Sequence, residues 1–253
     1  MVYFVGAGSG APDLITVRGA RLLREADVVI YAGSLVNPAL LEGVKPGCEV
    51  CDSARMTLEE VAETIFRAEE LGRMTVRLHT GDPCLYGAIR EQMDLLAERG
   101  VAYEVVPGVS SFCGAAAALR AEYTLPGVSQ TVIITRMAGR TPVPEREQIR
   151  NLAKSGSTMV IFLSTSMIPA LAEELLLGAY TPDTPAAIVY KATWPDEKVM
   201  LCTIGTLAET AERNGITRTA LVTVGGFLGC GYERSKLYDP SFSTGYRQAS
   251  HEN

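Results

Sequence analysis

The sequence predicts an α/β protein, and three observations carry that expectation. Short β-branched or apolar runs alternate with longer helical stretches along most of the chain. Glycine turns close several of the short runs, at Gly6 to Gly10 and at Gly81 to Gly87. At 253 residues there is chain enough for two domains, each burying its own core.

Residues 2–6 form a short apolar strand, and Gly6-Ala7-Gly8-Ser9-Gly10-Ala11-Pro12-Asp13 is a glycine-rich loop leading into a helix over Leu14 to Glu25. A dinucleotide fold needs G-x-G-x-x-G opening directly into its helix, the third glycine allowing the helix to lie close to the strand. Here Ala11 holds the third place and a proline follows. Ala26 to Tyr31 is the second strand, with the loop Ala32 to Pro38 after it, and Glu49 to Cys51 makes a short third. Thr57 with Glu60 forms a capping box for a helix running to about Leu71. Met74 to His79 is the fourth strand, Ala88 to Arg99 a helix, and Ala102 to Val106 the fifth strand, ending in Pro107-Gly108-Val109-Ser110-Ser111. This spacing implies a mainly parallel sheet covered by helices.

Phe112 to Leu119 is small and apolar, and Leu125-Pro126-Gly127 breaks the pattern, so we place an N-terminal α/β domain at 1–113 and a C-terminal α/β domain at 114–240. In the second half, Gln130 to Arg136 and Thr158 to Leu163 read as strands, with Ser164-Thr165-Ser166 capping a helix through Leu177. Pro185 to Tyr190, Lys198 to Thr203 and Thr219 to Val224 are further strands, the first two joined as a hairpin around Trp194-Pro195-Asp196. Residues 241–253 are polar and turn-rich, and are expected to be a poorly ordered tail.

Composition narrows the function. Hydrophobic residues make up 47% and charged residues 21%, and no apolar run nears the ~18 residues of a membrane span. The chain begins directly in a strand, without the pattern of a signal peptide, so a soluble cytoplasmic protein is expected. A net charge of −6 argues against a nucleic-acid-binding face while leaving room for a local basic pocket. Of the six cysteines only Cys48 and Cys51 have a C-x-x-C spacing; with no second pair and no nearby histidine, they belong to a strand and no metal site is expected. The histidines are His79, in a strand, and His251, in the tail, which leaves little for histidine-based catalysis.

The loop Gly81-Asp82-Pro83-Cys84-Leu85-Tyr86-Gly87 is the main candidate site. In an open α/β sheet, ligands bind at loops leaving the carboxyl ends of strands. Gly81 can adopt angles closed to other residues, Pro83 fixes one dihedral, and Asp82 can accept hydrogen bonds from a polar ligand. Asp82 capping the following helix is the other reading.

Several ordered segments together resemble the tetrapyrrole methylase family: Val5-Gly6-Ala7-Gly8 with Pro12-Asp13-Leu14, Ala26-Asp27-Val28-Val29 with Tyr31, Gly81-Asp82-Pro83, Pro107-Gly108-Val109-Ser110-Ser111, and Ala192-Thr193 before Gly205-Thr206-Leu207. The resemblance spans roughly residues 2–239. Tyr31 to Val36, Thr124 to Thr131 and Ile216 to Ala220 resemble one branch of it, which methylates a ring carbon of a cobalamin precursor. The resemblance implies two α/β domains with a trough between them, the fold of class III S-adenosylmethionine-dependent methyltransferases, acting as a homodimer on a small-molecule tetrapyrrole and releasing S-adenosylhomocysteine. It implies cofactor contacts at Pro12, Gly81, Asp82, Leu85, Ser110, Ser111, Leu163, Ala192 and Ala220. Leu163, Ala192 and Ala220 also suit plain core positions.

A sulfonium methyl is already electrophilic and a reduced macrocycle offers an electron-rich carbon, so placement can supply much of the rate and no catalytic side chain is assigned. A substrate rich in carboxylates calls for arginine. Arg55, Arg136 and Arg140 lie in suitable loops, with Gly8 of the glycine loop beside the macrocycle, while Arg18 and Arg21 sit on the first helix. Solvated surface arginine is the alternative for each. Readings outside the branch are a family methylase acting on another macrocycle carbon, a nucleotide-dependent oxidoreductase, and a non-enzymatic tetrapyrrole-binding protein.

Overall fold

A computed structural model describes residues 1–33, 35–229 and 231–250. Ser34, in the loop after the second strand, Cys230, one of the six cysteines, and His251 lie outside the described residues. The chain divides into two compact units, one formed by Met1–Ala118 with Lys191–Lys198, the other by Leu119–Tyr190 and the residues from Val199 on. The division after Ala118 falls within a helix, a few residues beyond the expected 113, and the segment at 191–198 joins the first unit although its flanking strands belong to the second.

In the first unit the strands are β1 (Val2–Gly6), β2 (Val28–Tyr31), β3 (Glu49–Asp52), β4 (Thr75–His79) and β5 (Tyr103–Val106). They form one parallel sheet in the order β3-β2-β4-β1-β5. Its helices are α1 (Val17–Glu25), α2 (Leu58–Glu70), α3 (Ile89–Glu98) and α4 (Ser111–Leu119). β1 and β4 are buried on both faces, as parallel strands between helical layers require. One layer packs around Val5, Leu22, Val29 and Leu78, the other around Phe4, Ile30, Ile65 and Leu96. The Thr57–Glu60 capping box forms in both directions at the start of α2.

Helix α1 starts later than expected. Thr16 is its N-cap, accepting from the Gly19 amide at 3.1 Å, and Pro12–Leu14 make a separate 3-10 turn. The glycine loop therefore does not open into a helix N-terminus, and the phosphate cradle of a dinucleotide fold is not formed.

The second unit holds a mixed sheet in the order β6-β7-β10-β8-β9, from β6 (Val132–Arg136), β7 (Thr158–Phe162), β8 (Pro185–Tyr190), β9 (Lys198–Thr203) and β10 (Ala220–Val224). β6 and β7 are parallel, while β10 runs antiparallel to both β7 and β8. Helices α5 (Ile149–Leu152), α6 (Ile168–Leu176) and α7 (Leu207–Arg213) close its core around Met159, Ile161, Leu171 and Ile188. Ser164 does not cap α6: its hydroxyl donates to the Phe162 carbonyl at 2.7 Å and accepts from the Met137 amide at 2.9 Å, tying β7 to the loop after β6. Residues 235–250 fold back on themselves around Arg247, which donates to the carbonyls of Leu237, Asp239 and Phe242. No helix among the described residues is long and apolar enough to cross a membrane.

Candidate active site

Three loops meet at the carboxyl end of the first sheet, those after β1, β4 and β5. Their convergence depends on glycines without side chains. A Cβ on Gly6 would lie 2.5 Å from Gly108 Cα and 2.7 Å from the Gly81 carbonyl oxygen, so the three backbones approach as only glycine permits. Gly8 and Gly81 form an isolated antiparallel bridge, with N···O distances of 3.3 and 2.8 Å. Gly81 sits at φ 60°, which turns the chain from strand into loop.

Asp82 joins two of these loops. Its Oδ1 accepts from the Cys84 amide at 2.8 Å and its Oδ2 from the Gly108 amide at 2.9 Å. Burial pushes its carboxyl up, but the bonds from Cys84 and Gly108 outweigh that and hold it below the usual carboxylate range. Asp82 does not cap α3, whose N-cap is Ala88 in a left-handed conformation. Both of its oxygens are engaged by backbone, so a ligand meeting Asp82 must share an oxygen with an amide. Asp82 thus shapes the loop, and each of its oxygens keeps a second lone pair with which to accept from a polar ligand.

The structure brings Gly8, Gly81, Asp82, Ser110 and Ser111 together. Ser110 is buried, and its Cα lies 3.4 Å from where a Gly81 Cβ would stand. Ser111 opens α4, and the Cys113 and Gly114 amides of its first turn donate to the Ser110 carbonyl at 3.0 and 3.3 Å. Leu85 is half-buried in the same loop as Asp82, and Pro12 is exposed in the turn after the glycine loop. Ala192 is buried, and its carbonyl lies 2.8 Å from the position of a Gly10 Cβ.

Leu163 and Ala220 belong to the second unit. The antiparallel register that sets Val222 opposite Ile161 brings Ala220 level with Leu163, and the Thr165 hydroxyl donates to the Ala220 carbonyl at 3.0 Å. Ala220 is 9% exposed and Leu163 60%, so the core reading suits the first and fails for the second. Leu163 is an exposed apolar side chain on a backbone at φ 51°.

The arginines separate by their partners. Arg136 turns back on its own loop, donating to the carbonyls of Met137, Thr141 and Pro142 at 3.0–3.1 Å. Three of the five guanidinium N–H donors thus support its own loop. Arg18 pairs with Glu104 on the surface. Arg55 is exposed near Glu59, Glu60 and Glu63, a poor setting for an anionic substrate. Arg140 is exposed in the loop that Arg136 braces.

His79 is buried at the end of β4, with its Nε2 unpartnered. Burial, with the neighbouring Arg77 charge, pulls its pKa down to about 3, so the ring is neutral near pH 7. Arg77 is itself buried, donating to Gln92 Oε1 and the Ile30 carbonyl at 3.1 Å, and burial lowers its pKa to about 10. Among the described residues no three of His, Cys, Asp and Glu come together as metal ligands.

A contact that the sequence left unread is Thr193. Its hydroxyl accepts from the Ala11 amide at 3.0 Å and shares a hydrogen bond with Ser9 Oγ at 3.1 Å, and Trp194 packs against Gly10.

The family model for Tetrapyrrole (Corrin/Porphyrin) Methylases matches residues 1–208. The cobalt-precorrin-4 C(11)-methyltransferase of Methanocaldococcus jannaschii is 52% identical over 249 residues, covering 98% of this chain and 96% of that protein. The precorrin-4 C(11)-methyltransferase of Mycobacterium tuberculosis is 44% identical over 249 residues, covering 98% and 99%. An X-ray structure of the cobalamin biosynthetic enzyme cobalt precorrin-4 methyltransferase matches with a TM-score of 0.88 at 49% identity, covering 90% of this chain and 96% of that one. A uroporphyrin-III C-methyl transferase from Thermus thermophilus, complexed with S-adenosyl homocysteine, gives 0.75 at 28% identity, covering 90% and 92%.

Proposed function

The chain belongs to the tetrapyrrole (corrin/porphyrin) methylases, and on that premise we propose that it transfers a methyl group from S-adenosylmethionine to C11 of precorrin-4 or its cobalt complex. The observation that carries this reading is near-full-length similarity to proteins named for that reaction, at 52% and 44% identity. One of them is named for the cobalt form and one for the metal-free form, so both macrocycles belong in the test.

The residues of the first unit suit the cofactor. Gly81 and Ser110 leave a surface without bulky side chains, and Leu85 adds apolar contact for an adenosine. The Ser111 amide at the start of α4 can donate to a carboxylate or ribose oxygen. When bound, S-adenosylmethionine supplies a methyl already activated by its sulfonium. The task left to the chain is to hold the loops after β1, β4 and β5 in fixed relation, which Asp82 and the Gly8–Gly81 bridge do. His79, buried and neutral, is not placed to take a proton from the substrate. The transfer step is therefore expected to vary little between about pH 6.5 and 8.5, where an ordinary histidine or cysteine would titrate.

The test is single-turnover transfer from methyl-labelled S-adenosylmethionine to precorrin-4 and to cobalt-precorrin-4, with the product's methyl located by NMR. Label at C11 is the expected result. Label at another ring carbon would keep the family and reject the position, while no transfer to either macrocycle would reject the reaction. We also propose a homodimer acting in the cytoplasm; sedimentation equilibrium giving a monomer mass at micromolar concentration would refute the dimer.

A further inference from the structure

We propose that Thr193 is a positioning residue, whose hydroxyl holds the glycine loop 8–12 in the shape that receives the tetrapyrrole. The proposal rests on the methyltransferase reading above and adds a residue that neither composition nor the loop motifs assign.

Four features converge on it. The segment at 191–198 packs with the first unit, although the strands on either side of it run in the second sheet. Thr193 Oγ1 meets the glycine loop at two points, the Ala11 amide at 3.0 Å and Ser9 Oγ at 3.1 Å, and Ser9 is only 6% exposed. The space around this pair is kept open: a Cβ at Gly114 would lie 2.8 Å from Ser9 Oγ and 3.3 Å from Thr193 Cγ2. Thr193 itself stands at φ 67°, a left-handed conformation that β-branched residues disfavour.

The surroundings hold that strained conformation in place. The Thr193 amide donates to Glu197 Oε2 at 2.6 Å, Lys191 pairs with Asp196 at 2.6 Å, and Trp194 packs against Gly10. Backbone strain maintained by several contacts is typical of a functional position, where the geometry matters more than its local energy. The glycine loop is then fixed at three places, by the Gly81 bridge at Gly8, by Asn37, whose Nδ2 donates to the Gly10 carbonyl at 2.9 Å, and by Thr193 at Ser9 and Ala11. Asp82 holds the Gly81 and Gly108 loops together without help from Thr193. Losing the Thr193 hydroxyl should loosen the glycine loop at Ser9 and Ala11, with Gly8 and Gly10 still tied, and so weaken the hold on the macrocycle rather than on the cofactor.

The experiment compares Thr193→Val, which keeps shape and removes the hydrogen bonds, with Thr193→Ser, which keeps the hydroxyl. In the valine variant we expect the macrocycle KM to rise about tenfold, the loss of roughly one hydrogen bond. The kcat and the calorimetric affinity for S-adenosylmethionine should stay within about twofold, and the Ala11 amide should exchange faster with deuterium. Serine should restore each of these. Unchanged exchange at Ala11 in the valine variant, a serine variant as impaired as valine, or cofactor affinity falling in step with the KM would each overturn the proposal. The Ala11 measurement needs no turnover, so it decides the role of Thr193 even where the methylation assay rejects the proposed reaction.

Discussion

Replacing Asp82 by alanine tests whether one carboxylate holds the β4 and β5 loops together. The change removes the acceptors of two backbone amides, Cys84 at 2.8 Å and Gly108 at 2.9 Å. Cys84 is exposed, so water can take over its amide, and the loss there is about 0.5–1 kcal/mol. The Gly108 amide is half-buried against Gly6 and Gly81, and an unmet donor in such a place costs about 1–3 kcal/mol. The sum, roughly 1.5–4 kcal/mol, corresponds to a fall in Tm of about 3–16 °C for a chain of this size. Asp82→Asn should fall between, since its amide oxygen can serve one donor while its NH₂ opposes the other. Thermal melts followed by circular dichroism, paired with urea midpoints, give the number. The effect also has a pH signature. The folded Asp82 carboxyl lies below its unfolded value, so its contribution is complete above about pH 4 and is lost as pH falls through the folded value. Wild type and the alanine variant should therefore converge in acid. An alanine variant that melts within about 1 °C of wild type at pH 7 would refute the clamp.

The other predictions concern groups that the clamp does not touch. Unfolded His79 takes a proton near pH 6.5 but the folded ring only near pH 3, so stability should fall as pH drops below about 6.5. His79→Phe should flatten that limb, and a variant with an unchanged acid profile would show that His79 does not stay neutral. Gly10→Ala places a methyl group inside the van der Waals envelope of Trp194 Cδ1 and should destabilise by about 1–3 kcal/mol, read as a lower urea midpoint; no change would mean that Trp194 moves away freely. Arg140→Ala should raise the macrocycle KM several-fold with cofactor affinity intact, and an unchanged KM would leave Arg140 as surface charge.

Much of the fold was legible because it rests on signals carried by residue type. The capping box at Thr57 and Glu60, the apolar β1 and β7 and the turn glycines each mark an element locally, and the structure has those elements where the sequence puts them. The errors fall where two residue types compete for one role. Leu14 continues an apolar pattern, yet Thr16 two residues later is the better cap and takes the start of α1. Ser164 follows a strand and precedes a helix, which reads as a cap, but its hydroxyl satisfies backbone on the strand side instead. The antiparallel strand β10 in the second sheet has no local mark either, because pairing direction is decided by partners distant in sequence.

The site was legible as a set of loops and not as a set of interactions. Glycines announce close backbone approach, so Gly6, Gly81 and Gly108 could be read, but Asp82 and Arg136 show a charge and hide that the charge is already engaged by backbone. Strain is hidden more completely. Tyr86, Ala88, Arg120, Leu163, Lys191, Thr193 and Thr219 all stand at positive φ, in positions where sequence preference would expect glycine or asparagine. All but Arg120 lie in, or next to, loops that carry candidate site residues: Tyr86 and Ala88 follow Leu85, Lys191 and Thr193 flank Ala192, and Thr219 precedes Ala220. A side chain that opposes its own backbone can persist only where surrounding contacts outweigh the preference, as those of Thr193 and Trp194 do. Residue propensity, the signal from which the fold was read, points the wrong way at these positions.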